Sequence, residues 1–388
     1  MLTIPNAAGD TIFMKVKFVN VVDGDGAASA SRSIVVHPTT NTTVPEVFFD
    51  ENGNLIHNDD LELNKWYTMS FQSNGTGSYA FWTFAGVAQG EILIKDITVE
   101  KAPEQDANIF TNWAIFDDPV LTKVNNEWMY VINGTKATTA TQEHKQINIQ
   151  PLNDGMYTIS FEFMSLNHTG SATANFWNHN GKMKIYDSTG AAVSSWNAGE
   201  WYRAVYVSDA NLGTGSITIG YAGGSTGGMD LFVRNLQTHS YSLVPNNHSY
   251  AAIYDTKIDG EMVTVFSTEK HTVCKSEYDR RIIVNVPNNA AGDTISVKVM
   301  FTNVVDVDGN PATNRNLAVH TKGSATAYTG TFTDENGAVV ANSALELNKW
   351  YTLSWTGDAS AAYSIWVLNS TQIHCTLYMK DFTVTPAA

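Results

Sequence analysis

Short runs of alternating apolar and polar residues recur along the whole chain and are separated by polar turns. In residues 11–22, Ile12, Met14, Val16 and Phe18 occupy every second position before the pattern slips, as expected of a strand that buries one face. No segment carries apolar residues at the i, i+3, i+4 and i+7 spacing of a capped amphipathic helix. The pattern therefore predicts an all-β protein built of antiparallel β-sandwiches.

A stretch of identical sequence, LELNKWYT, occurs at residues 61–68 and again at 345–352, and a degenerate copy, AGEWY, lies between them at 198–202. The segments AAGDTI, NVVD and DENG also accompany both full copies, in the same order. The repeat length is that of whole domains and far exceeds that of a solenoid. We therefore predict three tandem modules: module 1 at residues 1–101, module 2 at 106–238 and module 3 at 246–388.

Module 1 lacks the opening strands that the other two modules carry, a difference of roughly forty residues. A sandwich without these strands would leave sheet edges unpaired, which proteins normally avoid. Another chain, an upstream segment or a simpler variant of the fold could fill the gap.

Composition and charge narrow the class of protein. The chain has 388 residues, a formal net charge of -15, and no basic cluster that would attract a phosphate backbone, so we expect no nucleic-acid binding. No window approaches the length of apolar sequence that spans a bilayer, so we expect no membrane insertion. The first residues do not read as a signal peptide, so export would depend on a segment outside this sequence or would occur without a secretion signal.

The modules resemble the jelly-roll or immunoglobulin-like β-sandwiches of the carbohydrate-binding-module superfamily. The resemblance rests on an Asp-x-x-Gly turn, a following Trp-Tyr pair that opens a strand, and a closing strand with Lys-Asp or Arg-Asn. The turns are Asp50–Gly53, Asp187–Gly190 and Asp334–Gly337. The resemblance implies a sandwich fold and a sugar-binding or structural role, although one fold hosts many functions.

Aromatic residues provide the candidate ligand sites, because a sugar ring can stack on an exposed aromatic face. Trp66, Trp201 and Trp350 hold the same place in each module and are interpreted as core residues. Strand alternation then places the adjacent tyrosines on the outer surface, as candidates for glycan binding: Tyr67, Tyr202 and Tyr351. The densest cluster of aromatic and amide groups lies in module 2 and is our first candidate for a ligand site: Trp177, Asn178, His179, Asn180 and Trp196.

Two Asp-rich turns resemble fragments of calcium loops, because calcium prefers several hard oxygen ligands. The candidate ligands are Asp23 and Asp25 in module 1, and Asp306 and Asp308 in module 3. A plain Asp/Gly turn is the alternative. We expect no cofactor apart from this possible structural calcium.

Both cysteines of the chain, Cys274 and Cys375, lie in module 3 and could form a disulfide or remain buried thiols, and we favour the thiols. Together with His271 and His374 they also offer zinc-type ligands, but without the paired spacing of a zinc site.

No catalytic motif of a hydrolase, nucleotide-binding protein or metalloprotease is present, so we expect a non-enzymatic protein. An acidic chain of tandem sandwiches favours a binding or structural role outside a cell. The leading interpretation is a bacteriophage virion protein, such as a head fibre, capsid decoration or tail fibre, that binds glycans weakly and assembles with itself or with another surface protein. The alternatives are a fragment of a secreted bacterial carbohydrate-binding protein or adhesin and, behind it, an accessory part of a glycoside hydrolase.

Overall fold

The computed structural model consists almost entirely of antiparallel strands, which confirms the all-β prediction. The described strands form six sheets, and the described helical elements include two single turns of 3-10 helix, at Asn58–Asp60 and Asn342–Ala344. The structure describes all residues except 30–33, 39–43, 84–86, 106, 112–118, 135–145, 152–157, 171–173, 178, 180–182, 208–215, 222–227, 240, 246–250, 269–279, 287–288, 307, 314, 323–326, 368–372 and 388.

Module 1 contains two sheets. Its strands are β1 (Leu2–Thr3), β2 (Ala8–Asp23), β3 (Ile34–Pro38), β4 (Glu46–Phe49), β5 (Leu55–Ile56), β6 (Tyr67–Asn74), β7 (Ser78–Thr83) and β8 (Val87–Glu100). The larger sheet has the order β5-β4-β6-β2-β8, and the smaller one has the order β1-β7-β3.

Module 2 repeats this arrangement with additional strands. They are β9 (Ala107–Thr111), β10 (Val120–Val124), β11 (Glu127–Ile132), β12 (Gln146–Pro151), β13 (Thr158–Leu166), β14 (Ala174–Trp177), β15 (Met183–Tyr186), β16 (Ala192–Val193), β17 (Tyr202–Val207), β18 (Ile217–Tyr221) and β19 (Asp230–His239). The larger sheet runs β10-β11-β19-β13-β17-β15-β16, and the smaller one β14-β18-β12-β9.

In module 3, β23 pairs with β20, which lies just before residue 246. Its strands are β20 (Ser242–Pro245), β21 (Ala252–Ile258), β22 (Glu261–Ser267), β23 (Arg281–Asn285), β24 (Ala291–Asp306), β25 (Leu317–Thr321), β26 (Ala327–Tyr328), β27 (Thr331–Thr333), β28 (Val339–Val340), β29 (Tyr351–Asp358), β30 (Ala362–Val367) and β31 (Ile373–Thr385). The larger sheet runs β21-β22-β31-β24-β29-β27-β28, and the smaller one β20-β23-β30-β25-β26.

A separate apolar core lies between the two sheets of each module. In module 1 the predicted alternation of β2 is observed, because Ile12, Met14, Val16 and Phe18 are all buried. Phe161 and Phe163 of β13 and Val297 and Val299 of β24 hold the corresponding places in the other two cores. The face of a sheet that is turned away from the core of its module is its outer face.

Modules 2 and 3 each carry a two-stranded lead-in hairpin, β10–β11 and β21–β22 respectively. Both hairpins turn through residues of positive φ, Asn125–Asn126 and Asp259–Gly260, as two-residue type I′ turns require. Within its own module the second strand of each hairpin pairs with the closing strand, β11 with β19 and β22 with β31.

The lead-in hairpin of module 2 also packs on the outer face of the larger sheet of module 1. Val47, Phe49 and Leu55 of module 1 form one buried cluster with residues of module 2 that include Met129 and Val131. Two hydrogen bonds at its border, Thr11 Oγ1 to Leu121 O at 2.8 Å and Ser70 Oγ with Thr122 Oγ1 at 2.7 Å, link β2 and β6 to β10. The hairpin is thus part of the larger sheet of module 2 and also covers the larger sheet of module 1.

The lead-in hairpin of module 3 packs in a similar way on module 2. Ser160 Oγ donates a hydrogen bond to Asp255 Oδ2 of β21, and Thr158 Oγ1 donates to Tyr241 O at 2.8 Å. The guanidinium of Arg203 lies 4.7 Å from the ring centroid of Tyr254. This contact is more polar than the contact between modules 1 and 2.

In the part of the chain that the structure describes, no strand pairs with the free side of β8, the closing strand of module 1. No helix among the described residues has the length and apolar character needed to cross a membrane. Cys375 is buried in the core of module 3. Cys274 lies outside the described residues, so the choice between a disulfide and free thiols stays a prediction.

Candidate functional site

The predicted orientation of the Trp-Tyr pair is wrong. Tyr67, Tyr202 and Tyr351 are buried in the three cores, each only 3–5% exposed. Each hydroxyl accepts a hydrogen bond from a backbone N–H just upstream in the chain, at 3.0, 2.9 and 3.2 Å. The tyrosines therefore fix the loop that leads into the strand and offer no outer surface to a ligand.

The adjacent tryptophans lie on the outer faces instead, each beneath a cation from the closing strand of its module. The distance from the cation to the ring centroid is 4.4 Å for Lys95 and Trp66, 3.8 Å for Arg234 and Trp201, and 4.6 Å for Lys380 and Trp350. The sequence contained a signal for this orientation, because Thr68 and Ser70 share the face of Trp66 whereas Met69 and Phe71 share that of Tyr67.

The aromatic cluster predicted in module 2 is divided between the two faces of β14. Trp196 packs against the core residues Phe163 and Phe176, with ring centroids 5.8 and 5.3 Å away. Trp177 follows the buried Phe176 and is half-buried on the outer face. His179 is also half-buried, and Asn178 and Asn180 lie outside the described residues. Trp177 is therefore the aromatic member of this cluster that faces outward.

Stacked His–Trp pairs on the outer faces of the smaller sheets were not anticipated from the sequence. In module 1 the rings of His37 and Trp82 stack with centroids 3.9 Å apart, and in module 3 those of His320 and Trp366 stack at 3.8 Å. The strand registers place both pairs at corresponding positions, β3 against β7 and β25 against β30. The signal was the repeat itself, because modules 1 and 3 each supply one His and one Trp at matching sites.

The two stacks differ in how much of the indole they leave open. The Trp366 ring lies between His320 on β25 and the guanidinium of Arg281 on β23, whose Cζ lies 3.5 Å from the ring centroid. Two groups this close to one centroid must cover opposite faces of the ring. Trp82, by contrast, is 54% exposed, and its position matches that of Gly220 in module 2. Trp82 therefore offers the most open aromatic platform on the described outer faces.

The predicted calcium loops are turns in which the carboxylate accepts backbone N–H groups. Asp23 Oδ1 accepts from Asp25 N at 3.0 Å and Ala27 N at 3.1 Å, and Asp306 Oδ1 accepts from Asp308 N at 3.0 Å and Asn310 N at 2.8 Å. The Asp-x-x-Gly turns at Asp50, Asp187 and Asp334 have the same geometry. These carboxylates fold the loops, and their binding of calcium stays a prediction.

In the described residues, a site for another metal ion would require a cluster of ligand side chains. No group of three or more His, Cys, Asp or Glu side chains that could hold a metal ion occurs among them. His374 Nδ1 lies 3.1 Å from Thr268 O inside module 3, and His271 and Cys274 lie outside the described residues.

A buried Asp lies in the crevice between modules 2 and 3, beside a Ser and a His. Burial would raise the pKa of Asp255, but His239 and the hydroxyls of Ser160 and Thr264 outweigh it and lower the pKa to about 2. His239 Nε2 lies 3.6 Å from Asp255 Oδ2. Ser160 donates its proton to the carboxylate rather than to the imidazole, whereas an activated serine needs the imidazole as its base. The arrangement serves the contact between the modules.

No family model matches the chain, and no curated protein matches its sequence.

Proposed function

We propose that the chain is a non-enzymatic structural and adhesive protein whose module 1 binds glycans weakly through the open face of Trp82. The exposed indole, backed by His37, is the observation that supports the proposal. A ring held by a stacked neighbour is a rigid apolar surface, and binding to it costs little conformational entropy. One such platform gives low affinity, so adhesion would rely on several copies acting together.

The setting proposed for this protein is the surface of a bacteriophage virion, as a head fibre, capsid decoration or tail fibre. Tandem sandwiches packed through their hairpins suit a structural role, and the acidic composition suits an exposed one. The chain would assemble with itself or with another virion protein. Mass spectrometry of bacteriophage particles purified by density gradient tests this setting, and peptides of the chain are expected in these particles. Peptides of the chain in the secreted fraction of uninfected bacteria would argue for the secreted adhesin instead.

Glycan binding is tested by affinity electrophoresis in gels that contain soluble β-glucan, xylan, mannan or a bacterial capsular polysaccharide. The wild-type chain is expected to be retarded by at least one of them. Trp82→Ala should weaken that retardation at least tenfold, because a central aromatic anchor commonly carries much of the binding energy.

Trp366→Ala is the matched control, because Trp366 occupies the same position in module 3 but has both ring faces covered. It should leave retardation within about twofold of the wild type. Equal losses in the two variants, or no retardation in any gel, would overturn the assignment of Trp82 as a glycan platform.

A further inference from the structure

The closing strand of module 1 exposes an apolar side chain, Ile94, whose counterparts in the other modules are buried. Ile94 faces the core side of β8 and is 37% exposed, whereas Val233 of β19 and Met379 of β31, at the same register position, are 0% and 1% exposed. Leu93, Ile97 and Val99 of β8 are exposed as well. A long apolar edge of this kind can pair with another chain.

The difference has a simple cause in the sheet order. In modules 2 and 3 the lead-in hairpin lies beside the closing strand, with Tyr130 opposite Val233 and Thr264 opposite Met379. On β8 this place is open among the described residues. The backbone groups along its free side can therefore form a further antiparallel ladder.

The charges at this edge also match a hairpin. Each lead-in hairpin begins its second strand with a Glu that pairs with the cation above the Trp: Glu127 Oε2 lies 2.6 Å from Arg234 Nη1, and Glu261 pairs with Lys380. Lys95 is the corresponding cation of module 1. Its ion pair with the neighbouring Asp96 is long, at 3.9 Å, and both side chains are about half exposed.

Module 1 also carries additional positive charge at this place. Lys17 lies 4.9 Å from the centroid of Trp66, so this ring has two cations beside it. The residues at the position of Lys17 in β13 and β24 are Met164 and Met300. A carboxylate entering beside Lys95 would therefore lie near two cations on the same face of the sheet.

We propose that β8 is a docking site for a β-hairpin from a different protein chain, an apolar hairpin with a Glu that reaches Lys95. Main-chain hydrogen bonds along β8 would provide affinity, the apolar side chains would cover Ile94, and the Glu would set the register. A second copy of this chain is the poorer donor, because both of its lead-in hairpins, as the structure describes them, already pair within their own modules. The proposal does not depend on glycan binding.

The test uses the full chain and a cyclised peptide of residues 251–268, the lead-in hairpin of module 3, as the probe. Fluorescence anisotropy should show saturable binding of the labelled peptide, and hydrogen exchange should slow in residues 91–99. Lys95→Glu should weaken binding at least tenfold. A peptide with Glu261→Lys should bind the wild-type chain poorly and recover affinity for the Lys95→Glu chain.

Light scattering and hydrogen exchange of the chain alone complete the design. A monomer with fast exchange in residues 91–99 is expected. A dimer with these residues protected would mean that a second copy occupies the edge, which would overturn the proposal. The proposal would also be overturned if the peptide did not bind a monomeric chain. The same holds if Lys95→Glu and Glu261→Lys left binding unchanged.

Discussion

Glu162 holds together a network of charges in module 2, and its replacement by Gln is expected to loosen the larger sheet. Its carboxylate lies 3.0 Å from Arg203 Nη2 and 2.7 Å from Arg234 Nε, and it accepts a hydrogen bond from Asn235 Nδ2 at 3.1 Å. The Glu162 side chain is only 14% exposed and that of Arg203 only 12%. Glu162→Gln would leave these guanidinium groups partly desolvated without their shared counter-ion.

The cost follows from this geometry. Removing one partner of a buried ion pair costs about 3–5 kcal/mol. The cost is smaller here because Gln keeps one acceptor oxygen and Arg234 keeps Glu127, so we expect about 2 kcal/mol. In native-state hydrogen exchange this corresponds to about 30-fold faster exchange of protected amides in β13 and β19.

The control is Glu346→Gln, which removes an ion pair with Lys349 of similar length, 2.7 Å, whose side chains are 59% and 58% exposed. An exposed pair contributes under about 1 kcal/mol, so exchange in β29 should change by no more than a few fold. If β13 and β19 in Glu162→Gln exchange no faster than they do in the wild type, the network does not stabilise the sheet and the reasoning fails.

Three further predictions concern stability. Leu55→Ala should lower the free energy of unfolding by about 2 kcal/mol and speed hydrogen exchange in β10, because Leu55 is buried between modules 1 and 2. Val339 holds the same position in module 3 and is 78% exposed, so Val339→Ala should change the free energy of unfolding by no more than about 0.5 kcal/mol. The lowered pKa of Asp255 predicts stability that is complete above about pH 4 and is lost as the pH falls toward about 2, and urea midpoints across this range should be flatter in Asp255→Asn. Burial raises the pKa of Glu46 from 4.5 to about 8, so the stability due to its protonated form should be lost as the pH rises through this interval, and Glu46→Gln should remove that slope in urea midpoints.

The strands and their buried faces were predictable because apolar residues occupy every second position over much of long strands such as β2 and β24. The pairing of strands was harder to predict, because strands that are distant in the chain lie side by side. In module 1, β1 pairs with β7 and β2 pairs with β8. The Trp-Tyr pair was assigned the wrong way round because both side chains are large and aromatic. Only the polar or apolar character of the flanking positions separates the two orientations.

The candidate site was harder to predict than the fold. His37 and Trp82 are distant in sequence and meet only because β3 and β7 are neighbours, so neither residue alone suggested a stack. Trp82 is 54% exposed, whereas Arg281 and His320 lie against the ring of Trp366 in module 3. This difference between the two rings becomes visible only when the repeats are compared in three dimensions.

The outer faces of the larger sheets differ between the first and last modules. At the positions of Phe13, Val47 and Phe49 in module 1, module 3 carries Ser296, Thr331 and Thr333. The docking of a hairpin on an apolar face of the first kind buries more apolar area and therefore gains more free energy than docking on a polar face.

Each lead-in hairpin provides much of the contact with the preceding module, and it also precedes most of its own module in the chain. During synthesis it would therefore leave the ribosome while the preceding module is already complete. The apolar face of Val47, Phe49 and Leu55 would then be available to hold β10–β11 before the partner strand β19 exists. On this order of synthesis, each finished module would present a surface that positions the hairpin of the next, and errors of strand pairing between the repeats are expected to be less frequent.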